Sequence, residues 1–249
     1  MKKLLLIFAL MLSGAYSAQT QIVAHRGFWK TAPETAQNSL SSFKNAVQAG
    51  VYGAEFDVRM SKDGRLIVNH DEDHAGLVIA ETTFKDLRKI PLSNGERIPT
   101  LREYLKLGKR HPAIQLIMEI KPAKTKELED ELVRKAVAEV NRLSLDKQVQ
   151  IISFSKNICL ETKRIAPQIK VQYLNGELSP QEVKALGLDG IDYHYKIFID
   201  KHPEWIRQAN DLGLITNSWT VNSEEIARTL MEMGIKVITT DIPEKLKNL

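Results

Sequence analysis

The chain has a single cysteine, Cys159, so no internal disulfide can form and the fold must rest on its core alone. At 249 residues it is long enough to bury such a core without staples. No Gly-x-Gly-x-x-Gly follows a strand pattern, which removes the dinucleotide fingerprint of an open doubly wound sheet. Aromatic residues are sparse, and the basic residues form no stripe with aromatics between them, so no nucleic-acid partner is expected. Low-complexity tracts, Pro/Gly/Ser linkers and periodic repeats are also absent, which argues for one large domain. No run reaches the ~20 apolar residues that a bilayer-spanning helix needs.

The one apolar run of note opens the chain: MKKLLLIFALMLSGAYSAQT. Two lysines, an apolar stretch from Leu4 to Leu12 and then small residues are the layout of a secretory signal peptide, with cleavage expected near Ser17–Ala18. The expected organisation is a signal peptide over 1–17 and one domain over 18–249, exported to a periplasm or secreted. No cysteine follows the run, which excludes lipid attachment through an N-terminal Cys, and no stable membrane insertion is expected after cleavage. The formal net charge of +4 includes Lys2 and Lys3; without those two, 33 basic residues stand against 31 acidic ones. Such a balance suits a small-molecule substrate better than a polyanion.

Short apolar runs alternate with amphipathic helical patterns. The strand candidates are QIVAHRG, GAEFDVRM, RLIVNHD, AIQLIMEIK, VQIISFS, IKVQYLN, GIDYHY, LITNSWTV and KVITTDIP. Asn38-Ser39 is placed to cap a helix with Leu40, Phe43 and Val47 on one face, ending at Gly50. TKELEDELVRKAVAEVNRL aligns Leu128, Leu132, Val133, Ala136 and Val140, and Ser223 precedes EEIARTLMEMG. The link between the second and third strands is too short for a parallel crossover, so RLIVNHD is read as an antiparallel hairpin arm. Eight parallel strands remain, the number that closes an α/β barrel of the TIM (β/α)8 type, with a small insertion at about 71–100.

The polar residues gather where such a barrel builds its sites. His25-Arg26-Gly27, Glu55 and Asp57, Glu119 and Lys121, Trp219 and Thr240-Asp241 all lie at downstream strand ends. Glu55 and Asp57 share one face of a strand, ~6.5 Å apart along it, and would repel each other without a cation between them. Glu119 interrupts an otherwise apolar strand, where a carboxylate needs a partner. A Glu119–Lys121 ion pair is one reading; a three-carboxylate site for one hard divalent cation, Mg2+ or Ca2+, is the other. Taking Asp63-Gly64 as a two-residue hairpin loop puts Asp57 opposite His70.

Of the six histidines, His111 and His202 precede prolines in charged loops, and His74 is read as a loop residue. His194 lies near a strand end, where it suits a pocket wall. His25 and His70 stand out, each beside another charged residue at the end of a strand. Cys159 reads as small apolar packing.

VAHRG, AEFDVRMSKDGRLIVNHD, MEIKP, SWTVN and ITTDIP, in that order, resemble the motifs of the glycerophosphodiester phosphodiesterase family over essentially the whole mature chain. The resemblance implies a TIM barrel and metal-dependent hydrolysis of glycerophosphodiesters to an alcohol and glycerol phosphate. Carried over residue by residue, it makes Glu55, Asp57 and Glu119 metal ligands and His25 and His70 an acid/base pair. Arg26 and Lys121 become phosphate-binding residues, and Trp219 a pocket wall against the glycerol moiety. It also implies that the substrate's own glycerol hydroxyl attacks first, giving a cyclic phosphate that water then opens. One departure is local: where the family has Pro-Glu-Asn before its first helix, this chain has Ala36-Gln37-Asn38, so altered metal affinity or substrate choice is expected. The competing readings are a relative acting on a phosphoinositide or sphingolipid headgroup, and a non-catalytic glycerophosphodiester-binding barrel. The second would have lost at least one of the histidines or acids, and all are present.

Overall fold

A computed structural model describes residues 19–31 and 33–249; the expected leader, 1–17, lies outside them. In chain order the strands are β1 (Gln21–Ala24), β2 (Gly53–Met60), β3 (Leu66–Val68), β4 (Asp73–His74), β5 (Leu77–Val78), β6 (Gln115–Ile120), β7 (Val149–Ser153), β8 (Lys170–Tyr173), β9 (Gly190–His194), β10 (Ile215–Trp219) and β11 (Val237–Thr240). Eight of them run parallel in the spatial order β1, β11, β10, β9, β8, β7, β6, β2, and β1 pairs with β2 to close the barrel. The (β/α)8 barrel expected from the alternation is the fold, with helices such as Leu40–Ala49, Lys126–Leu143 and Glu224–Glu232 on its outside.

The helix starts follow from the capping residues. Ser39, Thr125 and Ser223 each accept a hydrogen bond from a backbone N–H of the first turn, and Gly50 ends its helix in the left-handed conformation, φ 66°. Helix Lys126–Leu143 buries Leu132, Val133, Ala136 and Val140 against the barrel. Leu128, expected on the same face, is 37% exposed: this first turn faces a hollow beside the insertion instead of the core.

Inside the barrel the residues stack in layers, as the fold requires. Gln150 and Gln172 hydrogen-bond to each other, and Gln150 also donates to the Tyr52 hydroxyl, at the upstream end. Val23, Ile117, Ile152, Leu174 and Val237 plug the middle. On β6 the inward positions therefore read Gln115, Ile117 and Glu119, so each step of two carries the chain from polar base to apolar plug to acid.

The hairpin arm is present, but its register differs from the expected one by a residue. Val58 pairs with Val68, Arg59 with Ile67 and Met60 with Leu66. The reason is the turn. The Ser61 N–H donates to the Arg65 carbonyl at 2.9 Å, and Gly64, at φ +73°, is the third residue of a three-residue loop. Such loops place glycine in the left-handed position that a two-residue reading gives to the turn itself. Asp57 thus lies beside Asn69, whose N–H donates to the Asp57 carbonyl at 3.0 Å. The segment from Asp71 to Thr100 follows β3, contains the small β4–β5 hairpin and packs its own cluster of Ile79, Leu87 and Ile98 on Ile67.

Candidate active site

The parallel pairing of β2 with β6 brings Asp57 level with Glu119, and the two-residue spacing on β2 adds Glu55 to the same face. Ligand oxygens of Glu55, Asp57 and Glu119 all lie within 4.8 Å of one another, and all three side chains are buried. Lys121 Nζ enters the cluster, 2.8 Å from Asp57 Oδ1 and 2.7 Å from Glu119 Oε1. The ion pair read from MEIK and the acid triad therefore coexist.

One ammonium does not neutralise three carboxylates. Burial, with the charges of Asp57 and Glu119, holds the Glu55 carboxyl well above its ordinary range. Burial and Asp57 push Glu119 up to about 7 against the pull of Lys121. Burial pushes Asp57 upward too, but Lys121, His70 and the Asn38 amide overcome it and lower that carboxyl to about 2. Burial lowers the Lys121 ammonium, and the paired carboxylates more than restore it, so it stays charged. Glu55 Oε1 is buried without a hydrogen-bond partner, while Oε2 accepts from the Arg26 N–H at 2.7 Å. An oxygen-only donor set with surplus negative charge and an orphaned carboxylate oxygen fits a hard divalent cation.

This charge arrangement predicts an unusual pH dependence. A folded-state pKa raised above the unfolded value gives stability that is present below the unfolded pKa and lost as pH rises through the folded one. For Glu119 that window runs from 4.5 to about 7, a loss of about 3 kcal/mol. His70, whose pKa is lowered mainly by burial, works in the opposite direction near neutrality, and Asp57 acts only at lower pH. Glu55, raised by the same burial and charges, adds to the loss. Denaturation of the cation-free protein across this window is therefore expected to show declining stability, and Glu119→Gln to remove only its own share of the decline. A wild-type profile matching that of the Gln variant would contradict this.

Both imidazoles line the cavity beside the acid cluster. Closure of the barrel sets Ala24 beside Thr240, so the next residues, His25 and Asp241, meet: His25 Nδ1 lies 2.7 Å from Asp241 Oδ1. Asp241 also accepts from Lys30 Nζ at 3.0 Å and Asn222 Nδ2 at 2.8 Å. Burial opposes ionisation of Asp241, but His25, Lys30 and Asn222 together hold its carboxyl far below the usual range. His25 Nε2 is 4.0 Å from Glu55 Oε2, which points that nitrogen towards the acid cluster. His70 lies one residue past the position that pairs with Asp57, yet β3 has ended at Val68 and the chain bends, so its ring still reaches the cavity. Its Nδ1 is 2.7 Å from Asp71 Oδ1.

Arg26 sits at φ 52°, with its side chain donating to Gln37 Oε1 at 2.6 Å and lying 3.8 Å from Asp57 Oδ2. Gln37 thus takes the acceptor role beside Arg26 without a charge. Asn38, also at positive φ, clasps Asp57 from both sides, donating to Oδ2 at 2.7 Å and accepting from the Asp57 N–H at 3.1 Å. Trp219 stands on the cavity wall, edge-on to Phe154, with Nε1 donating to the Asp192 carbonyl at 2.9 Å.

The eight residues singled out in the sequence converge on one region: Asp57 anchors the cluster, and the other seven line a cavity of about 120 Å³ with Phe154, Asp192 and Thr239. Asp241, Asn222, Lys30 and Asn38 are not among those eight: Asp241 carries a signal in its place at a strand end, Asn38 and Asn222 only in lying within family-like motifs, and Lys30 none. The remaining histidines are structural. His74 bonds the Ile90 carbonyl, His111 packs near Phe43, and His202 stacks on Trp205. His194 lies edge-on to Trp219 outside the cavity lining. Cys159 is buried, its thiol pushed up to about 12. A larger hollow of about 680 Å³ beside the insertion shares only Lys121 with the site.

Residues 25–245 match the glycerophosphoryl diester phosphodiesterase family. A glycerophosphodiester phosphodiesterase from Caldanaerobacter subterraneus subsp. tengcongensis is 30% identical over 93% of this chain and 98% of its own. Among solved structures, a glycerophosphodiester phosphodiesterase from Parabacteroides distasonis superposes with a TM-score of 0.90 at 43% identity, covering 92% of this chain and 95% of that one. A phosphodiesterase from Oleispira antarctica, solved with the product sn-glycerol-3-phosphate, superposes with a TM-score of 0.77 at 25% identity over 92% of this chain and 95% of that one. The match spans nearly all of the barrel and includes every strand end that supplies the site, so the chain belongs to the glycerophosphoryl diester phosphodiesterase family of enzymes.

Proposed function

We propose that this enzyme hydrolyses glycerophosphodiesters to an alcohol and sn-glycerol 3-phosphate, using one divalent cation, Mg2+ or Ca2+, and the imidazoles of His25 and His70. The observation that carries the reading is the meeting of three buried acids, two imidazoles, Arg26 and Lys121 around one small cavity. The product named for the Oleispira antarctica relative supports the product assigned here.

Glu55, Asp57 and Glu119 would hold the cation, which when bound supplies positive charge to the phosphoryl oxygens. The chain's own residues do the rest. Arg26 and Lys121 bind the diester anion and offset charge as it grows on the equatorial oxygens. One imidazole takes the proton of the attacking hydroxyl as its oxygen bonds to phosphorus. The other gives a proton to the leaving alkoxide as the opposite P–O bond breaks. The attacking hydroxyl is the substrate's own, so this first displacement closes a cyclic phosphate. Water then bonds to phosphorus and gives its proton to the second imidazole, while the first returns its proton to the glycerol oxygen as the ring P–O bond breaks. Both imidazoles thus end in their starting protonation states. Asp241 fixes the His25 ring through Nδ1, leaving Nε2 for the transfer. Trp219 bounds the cavity against the glycerol moiety, and the leader-like N-terminus carries the activity out of the cytoplasm.

The test is product release from glycerophosphocholine, glycerophosphoethanolamine and glycerophosphoinositol with and without EDTA. Release of sn-glycerol 3-phosphate is expected, lost in EDTA and restored by Mg2+ or Ca2+. Undiminished turnover in EDTA would remove the cation from the reading; no turnover of any of these diesters with either ion would remove the substrate class.

A further inference from the structure

Asp192 is an acid of the barrel interior that the proposed chemistry leaves unused. It sits on β9, fully buried, and both carboxyl oxygens lack a hydrogen-bond partner. Buried polar atoms are nearly always paired, so two orphans on one side chain need a cause. The surroundings are apolar on two sides, with Ile152 and Leu174 lining the same cavity. Beside it on β10, Asn217 is its register partner, and Asn217 Nδ2 is also buried without an acceptor. Asp192 thus places an unpartnered carboxyl in the lining of the cavity that holds the acids and imidazoles, with the buried Asn217 amide next to it on the neighbouring strand.

We propose that Asp192 is a substrate-binding residue that hydrogen-bonds a free hydroxyl of the glycerol moiety at the closed end of the catalytic cavity. This rests on the function proposed above and names how one half of the substrate is recognised. Two considerations select glycerol over the departing alcohol. The half common to all glycerophosphodiesters suits the enclosed floor, where Asp192, Leu174 and Thr239 are buried, while a variable alcohol needs the open side, where His70 is partly exposed. Trp219 ties its ring to the Asp192 backbone carbonyl, so the expected glycerol wall and this carboxyl form one unit. Burial, helped by the Glu119 charge, holds the carboxyl well above its ordinary range. Its two unpartnered oxygens, set in the cavity lining, are what a substrate hydroxyl complements.

Calorimetry separates the two halves of the ligand, with sn-glycerol 3-phosphate and inorganic phosphate titrated into the cation-loaded enzyme. Asp192→Ala is expected to weaken sn-glycerol 3-phosphate by about tenfold and phosphate by less than about twofold, since only the former has hydroxyls to anchor. Asp192→Asn, which keeps a hydrogen-bonding oxygen at the same place, is expected to restore affinity to within about threefold of wild type. It also guards against a failure of the Ala variant to fold. Unchanged sn-glycerol 3-phosphate affinity in Asp192→Ala, equal losses for both ligands, or an Asn variant as weak as Ala would each overturn the assignment. Failure of the wild-type enzyme itself to turn over glycerophosphodiesters would instead strike the proposed function, so the two failures are distinguishable.

Discussion

Asp241→Asn is expected to lower kcat by about a hundredfold or more while leaving cation affinity almost unchanged. The carboxylate touches none of the three acids; it touches His25 Nδ1 at 2.7 Å. Ionised, it accepts a hydrogen bond from Nδ1–H and so fixes the neutral tautomer with its lone pair at Nε2, on the side of Glu55. An asparagine in the same place would have to satisfy Lys30 and the Asn222 amide through its oxygen, leaving its NH2 towards His25. That group donates to Nδ1 and forces the proton onto Nε2, the wrong tautomer for a base. The backbone N–H of Asp241 stays bonded to Asn222 Oδ1 at 2.9 Å, so the strand end keeps its place. If Asp241 acts only through His25, the double variant His25→Ala/Asp241→Asn will be little worse than His25→Ala alone. Additive losses, or a fall in cation affinity matching the fall in rate, would show that Asp241 has another role.

That pair also shows how far the sequence could be read. Each of the eight singled-out side chains stands at the end of an apolar run, where a barrel turns its strand ends into one face, and local spacing is enough to mark them. Asp241 lies 216 residues from His25, and no local pattern joins them. The link becomes visible only after the barrel is closed, when the ends of the first and last strands must be neighbours. The hairpin register failed for a local reason. SKDGR permits either a two- or a three-residue loop, and the choice rests on whether Gly64 closes the turn or follows it. Because β3 is only three residues long, the slip did not carry His70 away from the cavity. Asp192 was illegible because a lone acid in GIDYHY has no partner at strand or helix spacing. Its meaning depends on what the barrel leaves empty around it.

Glu55→Gln is expected to abolish nearly all turnover, by about a thousandfold, and yet to make the cation-free protein more stable. The two outcomes share one cause. Glu55 is 2% exposed, one oxygen has no partner, and its neighbours in the cluster are Asp57 and Glu119. Without a cation, ionising it costs stability; holding a proton instead is what the raised carboxyl reflects. A glutamine keeps the oxygen that accepts from the Arg26 N–H and turns an amide donor towards the remaining acids. The glutamine is neutral without taking up a proton, so neutralising a buried acid no longer costs the cation-free state, and a gain of about 1–3 kcal/mol follows. The same change removes one of three anionic ligands, so Mg2+ or Ca2+ adds far less stability than the mass-action increment the wild type receives. Melting curves with EDTA and with each ion, run beside the activity assay, check both limbs. A Gln variant that melts lower in EDTA, or keeps the wild-type shift on adding the ion, would show that Glu55 serves the fold and not the cation. Glu55→Ala is the weaker probe because it also strips the acceptor from Arg26, whose left-handed backbone holds His25 in place at the strand end. On this reading the site is built at the expense of the cation-free fold, and a bound cation would join stability to activity.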